Sequence, residues 1–231
     1  MANPNGPPAD PHVERMARQL SLAHGPTRVV LSFGAFNGGA YFARWLRWQI
    51  MQRRGWSRIN SVYLDTEALK LVPDTKIEVK DNSRPWLTGI ASMNGGWHGY
   101  YRYAMSEAHT MLFALTREWM ASQWCRQEAD DFRDENEQRR RAGKAPLRGV
   151  SIVFDGEVPP IPGTQVLHAQ KQDVDGAISQ KEQIVRADPT AGQRFGVTLR
   201  AADIAPTPGW GGLFTMDGAS LLRVLQAIGQ P

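Results

Sequence analysis

Cysteine is almost absent from this 231-residue chain, which has one, Cys125. A single thiol excludes an internal disulfide and any cysteine-rich zinc site, and it suits a reducing compartment. No run of eighteen apolar residues is present, so no bilayer-spanning segment is expected. The opening "MANPNGPPADPH" lacks a basic region followed by an apolar one, so no secretory signal is expected and the expected location is cytoplasmic. The five histidines are scattered, without H-E-x-x-H, and G-x-S-x-G, a Walker A loop and G-x-G-x-x-G are all missing. Zincin, α/β-hydrolase, P-loop and dinucleotide-oxidoreductase chemistries are therefore disfavoured, and no metal site or resident cofactor is expected. Charge of one sign is also lacking. The balance is 27 − 23 = +4, too small over this length to argue for nucleic acid.

What is present is apolar material in a regular order. Hydrophobic residues make up 42% of the chain and eight are tryptophan, enough for a sizeable core. The runs "TRVVLSF" (Thr27 to Phe33), "INSVYLD" (Ile59 to Asp65), "TMLFALT" (Thr110 to Thr116), "GVSIVF" (Gly149 to Phe154) and "TQVLHA" (Thr164 to Ala169) predict strands. The nearly continuous apolar character of the first and third predicts strands buried on both faces, as in parallel sheets. Between them, "AYFARWLRWQIMQRRG" predicts a helix ending at Gly55, with Phe42, Trp45, Leu46 and Ile50 on its inner face and its arginines in solvent. "WHGYYRYAMSEAH" predicts another, and a third runs from Ser122, as N-cap, to about Ala142. A short helix is expected around Val13 to Leu22, an edge strand at "RFGVTL" and a last helix over Asp217 to Ile228.

Alternating strands and helices predict an α/β fold, a flavodoxin-like open parallel sheet of about five strands with helices on both faces. The organisation expected is a leader over residues 1–25, the α/β domain over 26–171, and a C-terminal elaboration over 172–231 whose last helix packs on the same domain. Ligands of such sheets bind at the carboxyl ends of the strands near the switch in strand order. The residues expected there are Ser32, Phe33 and Gly34 after the first strand, Asp65 after the second, and Leu115 and Thr116 after the third. Ser32 and Phe33 either face a nucleotide or merely end a strand, and Asp65 either binds a ribose hydroxyl or forms a turn.

The stretch "SQWCRQEADDF" (Ser122 to Phe132) carries the sharpest signal. A spacing of four places Trp124, Glu128 and Phe132 along one helix face, with Cys125 and Ala129 toward the sheet and Asp130, Asp131 and Asp134 toward solvent. A carboxylate between two rings is partly desolvated, which favours its neutral form. Such a group binds sugar hydroxyls and stabilises an oxocarbenium-like transition state. Trp124 either packs in the core or stacks on a ligand ring. Cys125 reads as a small buried hydrophobe.

The segment "TMLFALTREWMASQWCRQEADDF" resembles the third strand and following helix of TIR (Toll/interleukin-1 receptor) domains, in Thr116, Trp119, Ser122, Trp124, Cys125 and Glu128. "VVLSF" and "VYLD" resemble that family's first two strands. The resemblance implies cleavage of NAD⁺, as substrate, at the nicotinamide–ribose bond, with Glu128 catalytic, Trp124 beside it, and ADP-ribose or a cyclic ADP-ribose isomer as product. It also implies homo-oligomeric assembly for activity and, by similarity to bacterial Thoeris antiphage proteins, a separate effector that senses the product. Two features depart from the family. Asn37, Gly38 and Gly39 stand where it usually carries an acid after the first strand, and the connection from Thr66 to Gly96 is long. The alternatives are a non-catalytic TIR adaptor and a nucleoside deoxyribosyltransferase-like enzyme.

Overall fold

A computed structural model describes residues 11–34, 38–64, 96–154, 158–173 and 214–229. In chain order they form α1 (Pro11–His24), β1 (Val29–Phe33), α2 (Gly39–Arg54), a 3₁₀ turn (Ile59–Ser61), β2 (Val62–Tyr63), α3 (Gly96–Glu107), β3 (Thr110–Leu115), α4 (Arg117–Ala121), α5 (Gln123–Arg141), β4 (Arg148–Val153), β5 (Gln165–His168), β6 (Lys171–Asp173), β7 (Phe214–Met216) and α6 (Gly218–Ile228). Strands β1 to β5 make one all-parallel sheet in the order β2-β1-β3-β4-β5, and β6 pairs antiparallel with β7 beside it. This is the flavodoxin-like α/β sheet, with helices on both faces.

Side-chain alternation divides the core into two layers. Val29, Leu31, Leu112, Ala114, Val150 and Ile152 face one side, where α2, β7 and α6 cover them with Phe42, Leu46, Ile50, Phe214, Leu221, Val224 and Ile228. Val30, Met111, Phe113, Leu115 and Val153 face the other, under Ala17 and Leu20 of α1, Tyr100, Tyr101 and Met105 of α3, and Cys125 and Phe132 of α5. Phe42 of α2 stacks on Phe214 at 5.1 Å and meets Phe154 edge-on at 4.9 Å, so β7 is built into the first layer. In the leader, α1 is held by Ser21 Oγ donating to Glu107 Oε1 at 2.5 Å and by Leu20 O accepting from Asn60 Nδ2 at 3.3 Å.

Two expectations need correction. The second strand is only Val62–Tyr63, because the chain turns in 3₁₀ form just before it. The arginines of α2 are not all in solvent. Arg47 is 1% exposed and donates through Nε to Val62 O (2.9 Å) and through Nη2 to Ile59 O (2.6 Å), so its guanidinium takes up carbonyls at the sheet's edge. Arg139 does the same for a helix end. It is buried, donates to the carbonyls of Met105 (2.6 Å), Ser106 (3.1 Å) and Ala108 (2.8 Å), and is paired with Glu135 at 2.6 Å. The last carbonyls of α3 have no intrahelical donor, and Arg139 supplies one from α5. Its neighbours Arg140 and Arg141 are surface cations, both on Glu137. Asp65, nearly all of the connection from Thr66 to Gly96 and the strand expected at "RFGVTL" lie outside the described residues. Among the described residues no helix is long and apolar enough to cross a membrane.

Replacing Arg139 by Met keeps the aliphatic stem but leaves three buried carbonyls without their donor. A loss of about 3 kcal/mol is expected, read as a lower urea midpoint at unchanged slope.

Candidate functional site at the carboxyl edge of the sheet

The strand order reverses between β1 and β3. From β1 the chain passes to α2 on one face, and from β3 it passes to α4 and α5 on the other, which opens a crevice at the carboxyl ends of these two strands. Two caps shape its far wall. Thr116 Oγ1 accepts from Trp119 N at 3.3 Å and starts α4, and Ser122 Oγ accepts from Cys125 N at 3.3 Å and starts α5. The short α4 turns Trp119 inward, where it is 2% exposed and meets Phe113 edge-on at 6.2 Å.

Trp119 then organises a hydrogen-bonded chain. Its Nε1 donates to Ser32 Oγ at 2.8 Å, and Ser32 Oγ donates to Glu128 Oε2 at 2.5 Å. An indole N–H can only donate, so the serine oxygen must accept from it and its single proton is left for the glutamate. Ser32 is 1% and Glu128 8% exposed, so the chain runs inside the protein and ends on a carboxylate at the crevice. Cys125 Sγ lies 3.3 Å from Phe33 O, as a weak donor to the strand end, and is buried as expected.

Glycine is required where β1 ends. A Cβ on Gly34 would stand 2.6 Å from Trp119 N and 2.8 Å from Glu118 C, and one on Gly39 would stand 1.7 Å from Gly34 O. Backbone therefore approaches backbone at both ends of this loop, and Gly38 between them holds φ at +81°. The glycines lost from a dinucleotide fingerprint serve close packing of β1, α2 and α4.

Of the residues expected at the site, Ser32, Gly34 and Glu128 are brought together, and Phe33, half-buried, lies beside them. Trp124 and Phe132 have different surroundings. Phe132 is buried edge-on against Phe113 at 5.3 Å, whereas Trp124 is 55% exposed in the first turn of α5. Four residues turn a helix by about 400°, so the three positions drift around the axis. Glu128 is buried where Ser32 of β1, itself bonded to Trp119, reaches it. Asp131 also departs from expectation. It is 4% exposed and accepts from His98 Nε2 of α3 at 2.5 Å and from Gln127 Nε2 at 3.4 Å, while Asp130 is exposed and Asp134 half-buried. Asp131 stands one turn after Glu128, on the side where α3 supplies the histidine. Among the described residues no group of histidine, cysteine and carboxylate side chains could hold a metal.

No protein-family model, no curated protein and no solved structure matches the chain.

Ser32→Ala removes the acceptor of Trp119 and the donor to Glu128 together, both in buried surroundings. A loss of about 2–3 kcal/mol is expected, and Trp119→Phe, which strips only one bond, costs about 1 kcal/mol. The double variant loses less than the sum, and urea unfolding of all four proteins measures the coupling.

Proposed function

We propose that this chain is a TIR-type enzyme that breaks the nicotinamide–ribose bond of NAD⁺. The observation that carries the reading is Glu128, a carboxylate buried at the switch point of a parallel sheet and oriented by Ser32, which in turn is oriented by Trp119. The resemblance of the Trp-Cys-x-x-Glu segment to TIR domains supports it.

The chemistry asked of the carboxylate is modest. It accepts hydrogen bonds from ribose hydroxyls and places negative charge beside the anomeric carbon. When the carbon–nitrogen bond breaks, its electron pair leaves with neutral nicotinamide and positive charge develops on the ribosyl ring. A fixed carboxylate stabilises that charge without having to reorganise. Capture by water, with loss of a proton, gives ADP-ribose, and capture by an atom of the adenine gives a cyclic isomer. Trp124, exposed one turn before Glu128, offers a ring on which nicotinamide or adenine can stack. NAD⁺ is the substrate and no further cofactor is invoked. Homo-oligomeric assembly, a cytoplasmic location, a separate effector that senses the product, and a place in antiphage defence complete the proposal by analogy with the family.

The exposure of Trp124 also fits the adaptor reading, in which the indole is a contact between domains and Glu128 is only a buried structural acid.

Chromatography with mass detection of NAD⁺ incubated with concentrated protein tests the proposal. Nicotinamide release is expected from the wild type, with Glu128→Gln slower by about 10²–10³-fold. Equal release by both proteins, or none with a crowding agent and infected-cell extract added, overturns it in favour of the adaptor. Base exchange on a deoxynucleoside, with NAD⁺ untouched, would move the carboxylate to the deoxyribosyltransferase reading.

A further inference from the structure

The opposite edge of the sheet gathers cations. Arg28 directly precedes β1, His109 directly precedes β3, and Arg148 opens β4. His109 N donates to Arg28 O and Arg148 N donates to His109 O, both at 3.1 Å, so the three are neighbours across the strand starts. The Arg28 guanidinium lies 5.1 Å over the ring of Trp56, and that ring meets His109 edge-on at 6.5 Å. Arg54 adds a third guanidinium from the last turn of α2.

Part of this cluster serves the fold. Arg148 Nη2 donates to Ile228 O at 2.6 Å and Arg54 Nη2 donates to Leu225 O, so both tie down the end of α6. Capping leaves the rest unexplained. Thr110 Oγ1 accepts from Arg148 Nη2 at 3.4 Å and lies 2.9 Å from His109 Nδ1. His109 Nε2 and Arg54 Nε are both buried with no hydrogen-bond partner. Among the described residues no carboxylate pairs with Arg28, Arg54 or Arg148. The three guanidiniums bring only donors, and the acceptors they meet here, Thr110 Oγ1 and the carbonyls of Leu225 and Ile228, are all uncharged.

The charge can be counted. The carboxyl ends of α2 and α6 each carry about half a negative charge, about one in total against three guanidiniums. Glu107, which accepts from Thr27 N beside Arg28, takes up one more, and about one positive charge is left uncompensated.

We propose that this edge binds a phosphate-class anion, held by Arg28 and Arg148 with Arg54 and His109 beside them. A phosphate-class anion matches the sign of the surplus charge and the planar guanidinium donors. Arg148 is exposed and Arg28 half-buried, so these are the groups an incoming anion meets first. The site is distinct from the Glu128 crevice, since a six-residue strand separates them by about 20 Å. It does not depend on the NAD⁺ reading. Burial, and then the charges of Arg148, Arg28, Arg54 and Arg139, holds His109 below the ordinary imidazole range. Arg139 is already compensated by Glu135. A bound anion reverses the electrostatic part of that shift, which makes His109 a reporter.

The test follows the His109 imidazole by NMR in the full chain while sodium phosphate is titrated against sodium chloride at matched ionic strength, over a range of pH. Saturable perturbation by phosphate alone is expected, with a rise in the pKa of His109 and at least about tenfold weaker binding in Arg28→Gln. ADP forms a second arm. Binding of ADP tenfold or more tighter than phosphate identifies a nucleotide phosphate, and equal or weaker binding identifies the free ion. Identical responses of the wild type to phosphate and chloride overturn the proposal, as does a folded Arg28→Gln that titrates like the wild type. If Arg28→Gln does not fold, the phosphate-against-chloride comparison on the wild type decides alone.

Discussion

One hydroxyl in a buried strand ties the crevice together. Ser32 interrupts an otherwise apolar run, and alternation turns it toward the layer that contains α5. A lone hydroxyl there would be costly, because nothing in a dry core replaces the water it leaves. It is tolerated because Trp119 and Glu128 complete its bonding from two helices reached through β3. The same contacts relieve the burial of the indole N–H and of the carboxylate. Each of the three groups is acceptable only in the company of the other two, which sets the position of α4 and α5 against β1 more narrowly than apolar packing could.

The two edges of the sheet differ in kind, and helix direction is the reason. Each crossover helix runs against the strands, so the carboxyl edge of the sheet receives helix beginnings and the amino edge receives helix ends. Helix beginnings present N–H groups, met here by Thr116 and Ser122. Helix ends present carbonyls, met here by Arg54, Arg139 and Arg148. These three arginines answer that polarity, although the guanidiniums at the α2 and α6 ends exceed what the carbonyls require.

Much of the fold was legible because buried parallel strands read as unbroken apolar runs, and "VVLSF", "TMLFALT" and "GVSIVF" have no other economical reading. The cap at Ser122 and the end of α2 at Gly55 were legible from local chemistry alone. What escaped depends on distant partners. Asp131 reads as a surface acid until His98, 33 residues away, is brought to it. Arg47 reads as solvated until carbonyls of other elements are placed beside it. The strands β6 and β7 are three residues each, too short to show a period. Within the crevice, spacing alone suggested the Trp124–Phe132 enclosure of Glu128. The contribution of Trp119 was hidden because a separate short helix re-aims it.

The first layer of the core is closed from late in the chain. Phe214 and Met216, then Leu221, Val224, Leu225 and Ile228, cover apolar faces of strands that are all synthesised earlier. During synthesis those faces therefore stand open after the sheet itself can pair, for as long as it takes to make more than forty further residues after β5. A nascent chain in that interval has the exposed apolar surface that chaperones recognise and that favours misassociation with its neighbours. Yield of folded protein in a cell is thus governed by how quickly α6 reaches its place, a kinetic liability that the stability of the finished molecule does not reveal.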